Sequence, residues 1–219
     1  MDSKLIDRLR ELPVAALYEA AGRTGALPPV FRPVTKGLSL AGPAFTVLCK
    51  GESNLAIHGA LYAASPGDIL VIATDAASDC AYIGELMAEA AAAGGLGGIL
   101  LDGRVRDLEV LAGLDIPIYC RGGAARGPTK ERIAGDGLLL PVRLGHSSGP
   151  MCYIHPGDFI RADADGALVL PKDRLAGIPA LAEERLRQEA DILLTLQRGR
   201  TPLFELLGVD LGGAGGGAP

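Results

Sequence analysis

The stretch Gly84-Glu85-Leu86-Met87-Ala88-Glu89-Ala90-Ala91-Ala92-Ala93-Gly94-Gly95-Leu96-Gly97-Gly98-Ile99-Leu100-Leu101-Asp102-Gly103-Arg104-Val105-Arg106-Asp107 decides the fold. Its alanine run, with a capping-type start at Tyr82-Ile83-Gly84-Glu85, predicts a helix, because alanine loses no side-chain entropy on becoming helical. Gly94-Gly95 ends that helix. Gly98-Ile99-Leu100-Leu101 then has the short, unbroken apolarity of a strand covered on both faces. The Arg106-Asp107 pair follows that strand, on the side where open α/β sheets bind ligands. A helix N-terminus at Gly84 to Met87 and an Arg-Asp pair are thereby brought within reach of one small anion.

Working outward, strands and helices alternate through the middle of the chain. Residues 4–11 and 14–21 read as two helices broken at Pro13. A Gly- and Pro-containing loop covers 24–33. Residues 44–49 read as a strand, 55–64 as a helix capped from Ser53-Asn54, and 69–73 as a doubly covered strand after the turn Ser65-Pro66-Gly67-Asp68. Beyond Asp107 come a short helix at 108–114, a strand at 116–119 and a polar, Gly-rich loop at 121–130. Strands at 137–144, 151–154, 159–160 and 167–170 are joined by turns, and a charged helix spans 172–200. The pattern predicts one α/β domain over residues 1–211, three-layered with a mixed sheet, followed by a flexible Gly/Ala tail at 212–219.

Composition narrows the function classes. The 219 residues are 48% hydrophobic and 21% charged, as in an ordered globule. With 4% aromatics and 31 glycines, small aliphatic side chains must build the core. A net charge of −5 without a basic run argues against nucleic acid. No apolar window is long enough to span a bilayer, and the charged N-terminal residues lack a signal-type apolar segment, which predicts a cytoplasmic protein. Cys49, Cys80, Cys120 and Cys152 are widely spaced, which predicts reduced structural thiols.

Several residues carry alternatives. Asp107 suits a hard cation such as Mg²⁺ that keeps most of its waters, or it caps the helix at 108–114. Arg106 clamps a carboxylate or a developing enolate, or pairs with Glu85 or a surface aspartate. Glu85 acts as a base or orients a metal-bound water, or is an ordinary first-turn carboxylate favoured by the helix dipole. Lys130 contacts an anionic substrate, or is a solvated loop lysine. None of the five lysines lies inside an apolar strand, which disfavours a Schiff base. His58, His146 and His155 are scattered, with no catalytic-triad or zinc spacing. Asp163-Ala164-Asp165-Gly166 places Arg161 at the first position of a calcium-loop register, so a β-turn is the better reading.

Glu85, twenty residues, then Arg106-Asp107 resembles the acid-x20-Arg-Asp signature of the class II pyruvate aldolases that cleave 4-hydroxy-4-methyl-2-oxoglutarate and 4-carboxy-4-hydroxy-2-oxoadipate. The likeness runs from about Leu17 to Pro171. It includes Glu19-Ala20-Ala21-Gly22, Ala41-Gly42-Pro43-Ala44, Asn54 with Ile57-His58, Pro66-Gly67-Asp68-Ile69-Leu70-Val71, residues 127–131 and Pro156-Gly157-Asp158. Residues 145–153 depart from the family pattern, which touches the outer pocket. The resemblance implies a fold like the swivelling phosphohistidine domain, in homotrimers or dimers of trimers with sites between subunits. It implies Mg²⁺ or Mn²⁺ at Asp107, Arg106 on the pyruvoyl oxygens, and the pyruvate carboxylate on the backbone amides of Gly84, Glu85, Leu86 and Met87. Asn54 and Lys130 are implied as substrate contacts, Glu19 as a residue reaching a neighbouring subunit's site, and Glu183 or Glu184 as a further acid there. The implied reaction is retro-aldol cleavage of a 4-hydroxy-2-oxo acid to pyruvate and a second oxo acid, with oxaloacetate decarboxylation as a side activity. The same superfamily holds regulators of ribonuclease activity that bind protein partners and lack the acid matching Glu85.

Overall fold

A computed structural model describes residues 2–74, 79–145, 151–199 and 201–210. The expected tail at 212–219, His146 and most of the divergent 145–153 stretch therefore lie outside the described residues.

Two short helices, α1 (Ser3–Glu11) and α2 (Val14–Ala20), precede β1 (Arg32–Pro33) and the long β2 (Leu40–Cys49). There follow α3 (Leu55–Ala63), β3 (Ile69–Thr74), β4 (Ala81–Ile83), α4 (Glu85–Ala93), β5 (Gly98–Asp102), β6 (Arg104–Val105), α5 (Leu108–Leu111) and β7 (Ile118–Cys120). The remainder comprises β8 (Gly137–Leu138), β9 (Val142–Gly145), β10 (Met151–Ile154), β11 (Phe159–Asp163), β12 (Gly166–Leu170), α6 (Ile178–Arg198) and α7 (Leu203–Leu206).

The main sheet has the order β1-β7-β5-β3-β2-β11-β12, with β8 also on β2. Its centre is parallel, with β2, β3, β5 and β7 in register from Ala44 against Ile69 to Leu100 against Tyr119. Its ends are antiparallel, through β1 on β7 and through β11 on β2 and β12 on β11. The fold is therefore α/β with a mixed sheet. Residues 69–73 and 98–102 are buried on both faces, as their continuous apolarity predicts.

The two faces are covered differently. On one, Phe45, Val47, Leu70, Ile72, Ile99 and Leu101 pack in one cluster with Ile57 and Ala60 of α3 and Met87, Ala88 and Ala91 of α4. At the antiparallel end, Phe159, Leu168 and Leu170 pack with Leu9, Leu17 and Ile178 from α1, α2 and α6. The opposite face, with Ala44, Ile69, Val71 and Leu100, packs against Leu27, Phe31 and the β9–β10 hairpin residues Val142, Leu144 and Ile154. Of the three layers, the third is thus a hairpin and a loop.

The loop at residues 25–33 also joins the two sheet edges. The Leu27 N–H donates to Ala167 O of β12 at 2.8 Å, while Arg32 and Pro33 pair with β7. The sheet is curled so that one nine-residue segment reaches both edges. Arg161 of β11, buried, donates to the carbonyls of Leu12, Leu40 and Ala162 and ties the first two helices to the sheet. Burial lowers its pKa from the usual arginine value.

Three local expectations change. The run at 137–144 breaks into two strands because Leu139 is left-handed (φ 56°), with its N–H donated to Thr46 O. Tyr82-Ile83, read as the approach to a helix, lies in a three-residue strand parallel to β6. The charged helix begins at Ile178 rather than at 172. No helix among the described residues is long and apolar enough to cross a membrane.

Candidate active site

The parallel β4–β6 pair assembles the site. Its register carries the chain from Ile83 into Gly84, the residue preceding α4, and from Val105 into Arg106-Asp107, with the Arg106 N–H donated to Ile83 O at 2.9 Å. The α4 N-terminus and the Arg-Asp pair, 22 residues apart in sequence between Glu85 and Asp107, become direct neighbours. The Glu85 N–H donates to Asp107 Oδ2 at 3.1 Å, and Arg106 Nε lies 3.7 Å from the same oxygen.

Gly84 leaves space that the Asp107 and Arg106 side chains fill. Its backbone is extended (φ −134°), a conformation open to any residue. A Cβ, however, would lie 2.6 Å from Asp107 Oδ2 and 3.0 Å from Arg106 Nε. Across the guanidinium, a Cβ on Gly127 would lie 3.0 Å from Arg106 Nη1. Two glycines from separate segments thus bracket Arg106.

A cleft of about 480 Å³ opens over these groups. Gly84, Glu85, Leu86, Met87, Arg106, Asp107, Asn54 and Lys130 all line it, together with His58, Tyr82 and Pro128. These eight sequence-predicted residues are brought together. Lys130 arrives on the polar loop, which is anchored beside the α3 N-terminus: Asn54 N–H donates to Thr129 O at 3.2 Å, and Thr129 N–H to Glu52 O at 2.9 Å. Leu86 is 85% exposed at the cleft mouth.

Asn54 does not cap α3. Ser53 Oγ takes the Leu55 N–H instead (3.2 Å). The Asn54 amide, 3% exposed, donates to Tyr82 O at 2.9 Å and to Met87 Sδ at 3.2 Å, tying α3 to the strand and helix that frame the site. Its Oδ1 is buried without a partner among the described residues. Leaving such an acceptor unpaired is costly, and sites of this kind concentrate where a ligand or water completes the network.

The alternatives left by the sequence narrow. Asp107 occupies the position before α5 but makes no side-chain capping bond there; its carboxylate faces α4. Arg106 pairs with Asp107 rather than with Glu85. Glu19 is not among the cleft-lining residues. It sits on α2, 2.8 Å from Arg23 and 3.6 Å from Arg185. Glu183 of α6 pairs with Arg8 of α1 at 2.8 Å, and Glu184 pairs with Arg187 within α6 at 2.6 Å. Burial pushes the Cys80 and Cys120 thiols up, so neither is set as a thiolate nucleophile.

No three His, Cys, Asp or Glu side chains converge among the described residues. A metal here would have Asp107 as its protein ligand, a hard oxygen 41% exposed toward the cleft. That donor set fits a cation which keeps its waters, such as Mg²⁺ or Mn²⁺, and does not fit a closed zinc cage.

His58 and Gly127 also line the cleft; both fall within the resemblance drawn from the sequence, which gives neither a site role. His58 lies one helical turn after Asn54, so the same helix start presents both. Gly127 belongs to the Gly-rich loop that carries Lys130.

The family model described as "RraA-like: Aldolase/RraA" matches residues 4–169. The chain belongs to this family. A "Putative 4-hydroxy-4-methyl-2-oxoglutarate aldolase" of Halalkalibacterium halodurans is 32% identical over 182 residues, covering 82% of each chain. Among solved structures, the RNA-processing inhibitor RraA from Thermus thermophilis superposes with a TM-score of 0.65 at 26% identity, covering 74% of this chain and 94% of that one. An uncharacterized protein from Pseudomonas syringae pv. tomato shares the fold, with a TM-score of 0.79 at 23% identity over 94% of this chain and 98% of the other. The family relationship thus spans proteins named as aldolases and a protein named as an inhibitor of RNA processing.

Proposed function

We propose that this member of the RraA-like family is a divalent-metal-dependent carbon–carbon lyase. Its substrate is a 4-hydroxy-2-oxo di- or tricarboxylic acid, cleaved to pyruvate and a second oxo acid. The observation that carries the reading is the meeting of the Glu85 amide, the Asp107 carboxylate and the Arg106 guanidinium at one helix N-terminus inside one cleft. Preorganised donors of this kind bind a carboxylate and stabilise oxyanion charge that develops beside it.

The chain's residues divide the work as follows. The Glu85 and Leu86 amides at the start of α4 take the substrate carboxylate, and Arg106 donates to the oxygen of the C2 carbonyl. When the C3–C4 bond breaks, its electron pair moves into the enolate and the C4 hydroxyl loses its proton, leaving the second carbonyl product. The Glu85 carboxylate holds the water that accepts this proton, and protonation of C3 then completes pyruvate. A divalent cation at Asp107 supplies Lewis-acid stabilisation of the enolate charge. Lys130, which also lines the cleft, is the cation available to the distal carboxylate. Decarboxylation of oxaloacetate passes through the same enolate and accompanies the main activity.

The same proposal includes the swivelling-phosphohistidine-like arrangement and assembly as trimers or dimers of trimers. In that assembly Glu19, and Glu183 or Glu184, of one copy approach the cleft of the next. The rival reading is a non-catalytic partner of ribonucleases. It predicts metal-independent protein binding and no turnover. Pyruvate release from 4-hydroxy-4-methyl-2-oxoglutarate, 4-carboxy-4-hydroxy-2-oxoadipate and oxaloacetate, with Mg²⁺ and with EDTA, separates the two. The lyase releases pyruvate only with the metal; absence of release from all three acids favours the rival.

A further inference from the structure

Asp107 is left-handed (φ 63°, ψ 37°) at the start of α5, where an aspartate ordinarily caps the helix it precedes, yet it makes no capping bond to α5. Its carboxylate turns across the site instead. Oδ2 accepts the Glu85 N–H of α4 and lies 3.7 Å from Arg106 Nε. Those are two of the donors assigned above to the substrate. Elsewhere in the first turn of α4, the Met87 and Ala88 amides already close on Gly84 O at 3.2 and 3.1 Å. That leaves the Glu85 and Leu86 amides as the first-turn donors directed ahead of the helix, and the Glu85 amide is taken. In the same cleft Asn54 Oδ1 is buried and has no hydrogen-bond partner among the described residues.

The geometry points to a self-occupied anion site: in the metal-free protein, the Asp107 side chain stands in for the substrate carboxylate. The inference rests on the function proposed above. A cation that engages the Asp107 carboxylate competes with the Glu85 N–H for it and releases that donor to a 2-oxo acid. Cation and 2-oxo acid then bind with positive coupling. By thermodynamic reciprocity, each raises the affinity of the other by the same factor. Asp107 in this account does more than hold a cation: it keeps the carboxylate subsite closed until the cation arrives. An anion that meets the metal-free protein competes with a tethered carboxylate, whose effective concentration is high.

The distinguishing consequence concerns protein without metal. Removing the Asp107 carboxylate abolishes its role as ligand, but it opens the subsite. Pyruvate binding to the full-length protein, measured by calorimetry, tests this in wild type, Asp107→Ala and Asp107→Asn, each with Mg²⁺ and with EDTA. Wild type is expected to bind pyruvate about tenfold more tightly with Mg²⁺ than with EDTA, as replacement of a charge-assisted contact implies. In EDTA, Asp107→Ala is expected to bind about fivefold more tightly than wild type, with Asp107→Asn between them because a neutral amide oxygen still accepts the Glu85 N–H. If Asp107→Ala fails to fold, the ordering of Asp107→Asn against wild type in EDTA decides. Should wild type bind pyruvate with Mg²⁺ while neither variant gains in EDTA, the Asp107 contact with the Glu85 N–H does not occupy the ligand's place, and the self-occupied site is overturned with the lyase reading intact. Should wild type with Mg²⁺ bind no pyruvate, the lyase reading falls and takes this inference with it.

Discussion

Gly84 and Gly127 differ from most glycines of this chain in what they make possible. Neither is needed for a left-handed backbone, and each leaves room for part of the Arg106 guanidinium, with Asp107 Oδ2 also against Gly84. A methyl group at residue 84 must displace Asp107 or Arg106 by several tenths of an ångström, and misplacement of reacting groups on that scale is costly. Gly84→Ala is therefore expected to lower the rate of pyruvate release by about ten- to a hundredfold, with a melting temperature close to wild type. Gly127→Ala meets only the flexible end of Arg106 and should cost less. Arg106→Ala, which removes the donor itself, is expected to lower kcat by about 10²- to 10³-fold; near-normal turnover in that variant contradicts the assignment. The sequence indicated the Arg-Asp pair and the helix start because they flank a strand and a capping site. It did not indicate the glycine bracket or the inward turn of Asn54, since both depend on which segments meet in space.

Among the elements, those buried on both faces were the most legible. β3 and β5 appear where unbroken apolar runs predict them, because a strand covered on two sides needs no alternation. The short β4 escaped notice, since three residues beside a helix start carry no periodic signal. The run at 137–144 misled for a different reason: left-handed Leu139, next to Leu140 and Pro141, divides an otherwise apolar sequence. Distant elements also supply what local sequence lacks. Helix α2 begins after Pro13, which has no side-chain cap to offer, and the Val14 N–H is taken by Asp163 Oδ2 from the β11–β12 turn at 2.8 Å. The acidic turn that resembled a calcium loop is in part a cap for α2. Asp163→Ala is expected to destabilise the protein by about 1 kcal/mol, read as a lowered melting temperature with unchanged pyruvate release per folded protein.

Across the whole molecule, the curled sheet depends on the loop that joins its edges. Tyr119 of β7 lies in the cluster beneath that loop and donates its hydroxyl to Leu38 O at 3.2 Å. Burial pushes its phenol up to about 12. A raised folded-state value means that the neutral phenol is preferred in the fold. Its contribution is complete below the unfolded value near pH 10 and is lost as pH rises through about 12. Alkaline unfolding of wild type should steepen in that window, and Tyr119→Phe should flatten it while losing the bond to Leu38. At the acid end, Arg8 holds the Glu183 carboxyl below the usual range and links α1 to α6. That link persists above the ordinary glutamate value and is lost as pH falls through the depressed one, so the difference in melting temperature between wild type and Arg8→Ala should vanish in strong acid. The overall α/β class was readable from strand and helix alternation; the hairpin layer over one face was not, because its segment reads as any exposed pair of strands. The central claim is that Glu85, Arg106 and Asp107 form one metal-dependent lyase site. The measurement that tests it most directly is pyruvate release from 4-hydroxy-4-methyl-2-oxoglutarate by purified, folded protein, with Mg²⁺ or with EDTA, in wild type and Arg106→Ala. The account predicts release that requires Mg²⁺ and falls by about 10²-fold or more in the variant. Equal release with EDTA, or by Arg106→Ala, would contradict it.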